Sequence, residues 1–176
     1  MTAVIVDWMR SPFHRAHKGE LKDIRPDEMA GQVARALLSR NNFDINLIDD
    51  LLLGCAYPEG EQGYNVARLV CFLSGLPETV PGATFNRLCG SSMEAIHVAT
   101  GKISSGSGDC FLVGGIESMS RVKRRGFNWS PHPGLEETYP QAYINMGITA
   151  ENVAENYSIS RIRQEEFALI SHQKSH

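Results

Sequence analysis

The chain is organised around the stretch FNRLCGSSMEAI at residues 85–96. A short extended run precedes it, and apolar residues at helical spacing follow it from Met93 onward. This pattern predicts a turn between a strand and a helix, with Cys89 at the turn among small neighbours. A helix N-terminus offers unpaired N–H groups and partial positive charge, which favour the nucleophilic thiolate. Cys89 is therefore a candidate nucleophile; a buried, inert cysteine is the alternative, because free cysteines are often buried.

The composition is that of a globular protein with one domain and room for an attached subdomain. The 176 residues carry a formal net charge of −3, which argues against a nucleic-acid-binding protein. No apolar run is long enough to predict a membrane span, and residues 3–6 are too short for a signal-peptide core. We therefore expect a cytoplasmic protein with reduced cysteines. The four cysteines show no CxxC and no metal-type pairing with histidine, so no metal site is predicted.

Strands and helices alternate along the first two thirds of the chain. The predicted strands cover residues 3–8, 50–55, 82–86 and 110–114. The predicted helices cover residues 26–40 and 65–73, and a third runs from just after Cys89 to about residue 105. The strands show little alternation of polar and apolar residues, which predicts an α/β fold with a parallel sheet covered on both faces. In the first helix, Met29, Val33 and Leu37 are spaced to form the core-facing stripe. Gly75 is the predicted stop of the second helix.

The composition of the sequence changes after Ser120. Residues 121–143 are rich in proline, glycine and charge, and helices are predicted again at 149–156 and after Ser160, a suitable N-cap. We expect an α/β domain at residues 1–120 and a second region at residues 121–176. The last helix has no C-capping glycine, so we expect the natural sequence to continue beyond residue 176.

A nucleophilic cysteine normally needs a base within hydrogen-bond reach. His97 lies eight residues after Cys89 on the same predicted helix, roughly 12 Å along its axis, and cannot serve. The loop histidines 14, 17 and 132 have no spacing that directs them to Cys89. His172 and His176 form an i, i+4 pair, a weak metal pattern on its own. The sequence thus offers a nucleophile without a visible partner.

Several segments carry a family resemblance. They are RSPF at 10–13, NRLCGSS at 86–92, GGIESMS at 114–120, MGITAEN at 146–152, and Ser160, Arg161, Gln164, Phe167, Ala168 and SHQ at 171–173. In this order they resemble successive signatures of the thiolases, over essentially the whole chain. The resemblance implies an α/β thiolase-like fold, the αβαβα layered sandwich. The chain then corresponds to the first βαβαβ half and the start of the inserted loop domain.

The resemblance also implies an activity. Cys89 matches the family's acyl-accepting cysteine, which takes the acyl group of a 3-ketoacyl-CoA, releases acetyl-CoA and passes the acyl group to coenzyme A; the reverse reaction is a condensation. It implies a role in fatty acid β-oxidation, coenzyme A as a substrate rather than a bound cofactor, and a dimer or tetramer. The family's histidine and second cysteine belong to motifs with no match here, so we expect the chain alone to be inactive.

Met146 matches a loop-domain residue that lies along the pantetheine and acyl channel in the family; a core-packing methionine is the alternative. Asn145 stands where the biosynthetic members carry histidine, which favours the degradative 3-ketoacyl-CoA branch. A 3-ketoacyl-ACP synthase is the alternative within the superfamily, and Gly90 and the MGITAE element argue against it. The other alternative is a non-catalytic fragment that acts as an interaction module.

Overall fold

A computed structural model describes residues 2–40 and 43–175 of the chain. Contacts divide it into two compact units, with the boundary after Trp129, and each is described by itself. In the first unit the helices and strands are α1 (Pro26–Arg40), β1 (Asp50–Gly54), α2 (Val66–Ser74), β2 (Gly82–Phe85), α3 (Ser91–Ser105) and β3 (Phe111–Gly115). In the second they are α4 (Pro133–Thr138), α5 (Met146–Asn156) and α6 (Arg161–Ser175).

The described residues form one parallel sheet with the strand order β2-β1-β3. The strands follow each other through α2 and α3, which makes a βαβαβ unit. In the register, Leu52 of β1 lies opposite Ala83 of β2 and Val113 of β3. The predicted α/β fold with a parallel sheet is confirmed, and Gly75 ends α2 in the left-handed conformation as the sequence predicts.

The central strand β1 is buried over its whole length, and its side chains alternate between two cores. Leu51 and Leu53 belong to the cluster that includes Val66 and Val70 of α2. Leu52 points to the other face, where it packs with residues of α3 such as Ala95. Helices therefore cover both faces of β1, which explains why three consecutive leucines, Leu51 to Leu53, form its centre.

Helix α1 packs on α2 through small residues. The predicted stripe of Met29, Val33 and Leu37 is only partly buried, whereas Gly31 and Ala34 are buried. The buried face is thus displaced from the predicted one. A side chain at Gly31 would place its Cβ 2.7 Å from the Cβ of Leu73, so the absence of one lets the two helices approach closely.

The predicted strand at residues 3–8, buried on both faces, is wrong. No part of it pairs with a strand among the described residues, and Val4, Ile5 and Val6 are 75–84% exposed. β-branched residues favour an extended backbone, but burial in a sheet also needs a neighbouring strand. The segment is held instead by Arg40, which pairs with Asp7 and donates a hydrogen bond to the Trp8 carbonyl at 2.8 Å.

The second unit is helical, and side chains cap the starts of its helices. At α4 the His132 Nδ1 accepts a hydrogen bond from the Leu135 N–H at 3.3 Å. The Asn145 carboxamide oxygen accepts a hydrogen bond from the Gly147 N–H at the start of α5. The Ser160 hydroxyl accepts from the Arg163 N–H at 3.4 Å, in the predicted N-cap position of α6. Across residues 2–40 and 43–175, no helix combines the length and the apolar character that crossing a membrane requires. The domain boundary after Ser120 stays a prediction.

The packing of α1 on α2 gives a test that compares two glycines in helix interiors. Gly31→Ala should lower the free energy of unfolding by up to about 2 kcal/mol, because overpacking costs about 1–3 kcal/mol and the gain in helix propensity is about 1 kcal/mol. Gly101 of α3 has open space around it. Gly101→Ala should therefore raise the same free energy by about 0.5–1 kcal/mol. Urea denaturation measures both, and equal stabilisation by the two variants would contradict the close packing.

Candidate active site

Cys89 lies in a tight turn between β2 and α3. The turn places Leu88 in the left-handed region, at φ 47, which costs free energy for a residue other than glycine. Buried Ser91 stabilises it: its hydroxyl accepts from the Arg87 N–H at 2.9 Å and donates to the Leu88 carbonyl at 2.5 Å. The Asn86 side chain accepts from the Leu88 N–H at 2.9 Å. Side-chain hydrogen bonds on both sides of Leu88 therefore hold the backbone that presents Cys89.

The first turn of α3 rests directly on the ends of two strands. A Cβ on Gly54, the last residue of β1, would overlap the backbone of Ser91 and Ser92. A Cβ on Gly115, the last residue of β3, would overlap the Ser92 hydroxyl. The lack of side chains at these two strand ends lets the helix start reach the carboxyl edge of the sheet. Cys89 is thereby placed at that edge, just before the helix N-terminus.

The four cysteines differ sharply in their surroundings. Cys89 is exposed, whereas Cys55 and Cys71 are buried and Cys110 is partly buried. Burial, with the negative charge of Glu117, raises the pKa of Cys55 to about 11. Burial also raises the pKa values of Cys71 and Cys110. The three other thiols are therefore held in the unreactive protonated form, and the exposed cysteine is the one at the helix start.

An ion pair spans the beginning of α3. Arg87, two residues before Cys89, approaches Glu94 at 2.7 Å between Nε and Oε2. The hydrogen bond from Arg87 lowers the pKa of the Glu94 carboxyl below its ordinary value and raises that of the guanidinium. Both side chains are therefore charged at neutral pH, and the Glu94 charge lies in the first turn of the helix, where it is favourable.

No described side chain forms a hydrogen bond or ion pair with the Cys89 sulfur. His97 lies on α3 two turns further along, as the sequence predicts. Over residues 2–40 and 43–175, no three histidine, cysteine or carboxylate side chains come together as metal ligands. The site as described presents an exposed cysteine just before the helix start, and among the described residues no base lies at its sulfur.

Met146 is the first residue of α5, in the second unit, and its side chain is 56% exposed. Met146 therefore does not pack in a core among the described residues, and the core-packing alternative is wrong. The preceding Asn145 serves as the N-cap of the same helix. The assignment of Met146 to substrate binding stays a prediction, as does that of Cys89 as the nucleophile.

Sequence reasoning missed a polar network beside the turn. Gln62 is completely buried, and its side-chain amide donates to a Glu117 oxygen at 2.6 Å. The other Glu117 oxygen accepts from the Ala56 N–H at 2.8 Å, and the Ala56 carbonyl accepts from Asn86 at 3.1 Å. Glu117 lies in the GGIESMS segment, which was noticed only through the family resemblance. Gln62 lies in a short polar loop with no periodic pattern that could have singled it out.

The surroundings of the four thiols predict an order of reactivity. At pH 8 iodoacetamide should modify Cys89 first, because Cys55, with its pKa raised to about 11, is only about 0.1% thiolate at that pH. Its thiolate fraction rises with pH, so the labelling rate of Cys55 should increase up to about pH 11. Peptide mass spectrometry under limiting reagent measures the order. Earlier modification of Cys55, Cys71 or Cys110 in the folded protein would contradict the assignment.

The contact between strand ends and α3 predicts a second difference between glycines. Gly54→Ala should slow the alkylation of Cys89 and lower the unfolding free energy by about 2–3 kcal/mol, because the new methyl group meets helix backbone that cannot rotate away. Gly114→Ala on β3 is the matched control, since its Cβ would meet only the end of the Leu53 side chain at 3.1 Å. Equal effects of the two variants on Cys89 alkylation would show that the contact does not position the turn.

Comparison with known proteins places the chain in a family. The thiolase N-terminal domain model matches residues 3–176. The 3-ketoacyl-CoA thiolase of Shewanella loihica is 43% identical over 176 residues, and that of Bacillus subtilis is 44% identical over 173 residues. The alignments cover 99% and 98% of this chain but 45% and 44% of the two relatives, so the chain spans less than half their length.

A solved structure agrees with these relatives. The crystal structure of the dimeric peroxisomal thiolase of Saccharomyces cerevisiae matches with a TM-score of 0.80 and 32% identity, over 94% of this chain and 44% of that one. The βαβαβ unit with a cysteine at the start of its second helix is thus found together with sequence similarity along the whole chain. The protein belongs to the thiolase family, and the chain corresponds to the N-terminal domain of that family.

Proposed function

We propose that this chain supplies the nucleophile of a 3-ketoacyl-CoA thiolase, and that the nucleophile is Cys89. The observation that carries the proposal is the position of the one exposed cysteine, in a hydrogen-bonded turn at the start of α3 and at the carboxyl edge of a parallel sheet. The relatives named 3-ketoacyl-CoA thiolase support the substrate class, and so does Asn145 in place of the histidine of the biosynthetic members.

The proposed reaction balances in two steps. The Cys89 thiolate attacks the C3 carbonyl carbon of the 3-ketoacyl-CoA, the bond between C2 and C3 breaks, and the electron pair leaves with C2 of acetyl-CoA, which then takes up a proton. The thiolate of coenzyme A attacks the resulting thioester, and the shortened acyl-CoA leaves as Cys89 is released. Exposed backbone N–H groups at the start of α3 stabilise the Cys89 thiolate before and after the cycle.

The proposal extends to the setting of the reaction. Coenzyme A and its thioesters are the substrates, no cofactor is held permanently, and the pathway is the degradation of fatty acids in the cytoplasm. A homo-oligomer is proposed because the similar yeast thiolase is described as dimeric. The 3-ketoacyl-ACP synthase alternative has no particular support among the observations of the site.

The acyl-enzyme step is tested directly by mass spectrometry. After incubation of the chain with acetyl-CoA, the peptide that contains Cys89 should gain one acetyl group, and the Cys89→Ala variant should gain none. Cys110→Ala is the matched control, because it removes a thiol distant from the turn and should leave acetylation unchanged. Acetylation of another residue, or of none, would contradict the assignment of the nucleophile.

The isolated chain should be acylated at Cys89 but should not turn over substrate. The isolated chain should not catalyse coenzyme A-dependent thiolysis above the Cys89→Ala blank, because a positioned general base contributes about 10²–10⁴-fold and none lies at the sulfur among the described residues. The assay uses acetoacetyl-CoA and a longer 3-ketoacyl-CoA. Turnover above the blank would show that a base in this chain does reach Cys89. Acylation without turnover would distinguish a nucleophile-bearing part of an enzyme from an interaction module, which should show neither.

A further inference from the structure

The buried amide of Gln62 lies at the centre of a polar network that joins three loops at the carboxyl edge of the sheet. Its nitrogen donates to Glu117 at 2.6 Å and to the Tyr57 carbonyl at 2.9 Å. Its oxygen accepts from the Ser118 N–H at 2.6 Å. Gln62 is fully buried, whereas its partner Glu117 is exposed, so the network runs from the interior to the surface of the unit. Such a completely satisfied buried amide fixes its neighbours strongly, because an unpaired polar atom there would be costly.

The network continues from Gln62 to the turn that presents Cys89. Glu117 accepts from both Gln62 and the Ala56 N–H, and the Ala56 carbonyl accepts from the Asn86 side chain. Asn86 in turn accepts from the N–H of Leu88, the left-handed residue directly before the cysteine. An unbroken series of hydrogen bonds therefore links a fully buried residue to the strained backbone next to the sulfur.

The loop that carries Gln62 is itself held in place. Glu61 forms ion pairs with Arg121 and, at 3.4 Å, with Arg25. These arginines come from the segment after β3 and from the start of α1, so the loop is tied to two separate parts of the unit. Hydrogen bonds from Arg121 lower the pKa of the Glu61 carboxyl, which keeps it charged at neutral pH.

We propose that Gln62 and Glu117 are positioning residues for Cys89: together with Asn86 they hold the turn in the conformation that keeps the sulfur at the start of α3. The inference rests on the proposed function, in that it takes Cys89 as the nucleophile. Neither residue touches the sulfur of Cys89. They act on it through Ala56, Asn86 and the backbone of Leu88. Without them the left-handed turn relaxes and the sulfur leaves the field of the helix N-terminus.

Exchange of the two side chains separates this role from general stability. Glu117→Gln alone leaves one acceptor oxygen for two donors, the Gln62 amide and the Ala56 N–H, so one of these hydrogen bonds is lost. Gln62→Glu alone sets two carboxylates against each other at the 2.6 Å contact. The double variant carries both substitutions. Its carboxylate, now at position 62, can accept from the amide at position 117 and from the Ser118 N–H, and the oxygen of that amide can still accept from the Ala56 N–H. The hydrogen bonds from position 62 to the Tyr57 carbonyl and, at 3.5 Å, to the Cys55 sulfur are then lost.

The test measures the rate of Cys89 alkylation by iodoacetamide at pH 7 in the full chain, with the melting temperature measured in parallel. In each single variant Cys89 should react at least about fivefold more slowly than in the parent. In the double variant the rate should return to within about twofold of the parent's rate, as expected of coupled neighbours. Val70→Ala, a core change on α2 away from the network, is the control. It should lower the melting temperature and leave the rate unchanged.

Three results would overturn the proposal: single variants with the parent's rate, an exchanged pair as slow as the single variants, or an equal loss of rate in Val70→Ala. A cooperative transition in the parallel melting measurement shows whether each variant is folded. If the single variants do not fold, Asn86→Ala removes the exposed end of the network and must still slow Cys89. Failure of Cys89 to be the reactive thiol in the parent would instead refute the proposed function.

Discussion

The structure of the first unit depends on a contact made without side chains. Gly54 and Gly115 end neighbouring parallel strands, and only hydrogen atoms at these positions leave room for the first turn of α3. Because β1 pairs on both sides, the position of Gly54 is fixed by the whole sheet. Because the helix start rests on Gly54, the sheet also fixes the helix start and the turn before it. A nucleophile at this place is held by the sheet rather than by a flexible loop, which is the condition for precise positioning.

The elements that the sequence predicted correctly have local signatures. The consecutive leucines 51–53 of β1 indicate a strand buried on both faces, and Gly75 stops α2 as its position after an apolar helix suggests. Residues 3–8 are also mainly apolar and include the β-branched Val4, Ile5 and Val6, but they have no sheet partner among the described residues. Pairing is a non-local property that composition does not encode. The buried face of α1 was misplaced for a related reason. Gly31 packs closely because it is small, and a ranking by hydrophobicity cannot detect that.

The candidate site divides in the same way. Cys89 could be found from the sequence because a strand, a cysteine among small residues and a helix follow each other directly. The network of Gln62 and Glu117 could not, since the two residues are 55 positions apart and their hydrogen bond leaves no pattern along the chain. The family resemblance included Glu117 without assigning it a role. In the structure its two carboxylate oxygens form hydrogen bonds that join the loops after β1 and β3.

The proposed chemistry requires an environment that favours negative charge on the sulfur and a group that transfers protons. The described residues place the sulfur at a helix start but place no base beside it. Backbone N–H groups at a helix start are fixed dipoles that favour nearby negative charge without a titratable side chain, and Cys89 lies just before the start of α3. Proton transfer is different, because a dipole can stabilise a carbanion or a thiolate but cannot deliver or remove a proton. The absence of a base at the sulfur among the described residues is therefore compatible with a well-positioned nucleophile. Burial favours the protonated form of the other three thiols. In the proposed reaction, Cys89 is therefore the thiol that must carry the negative charge and be served by the proton-transferring group.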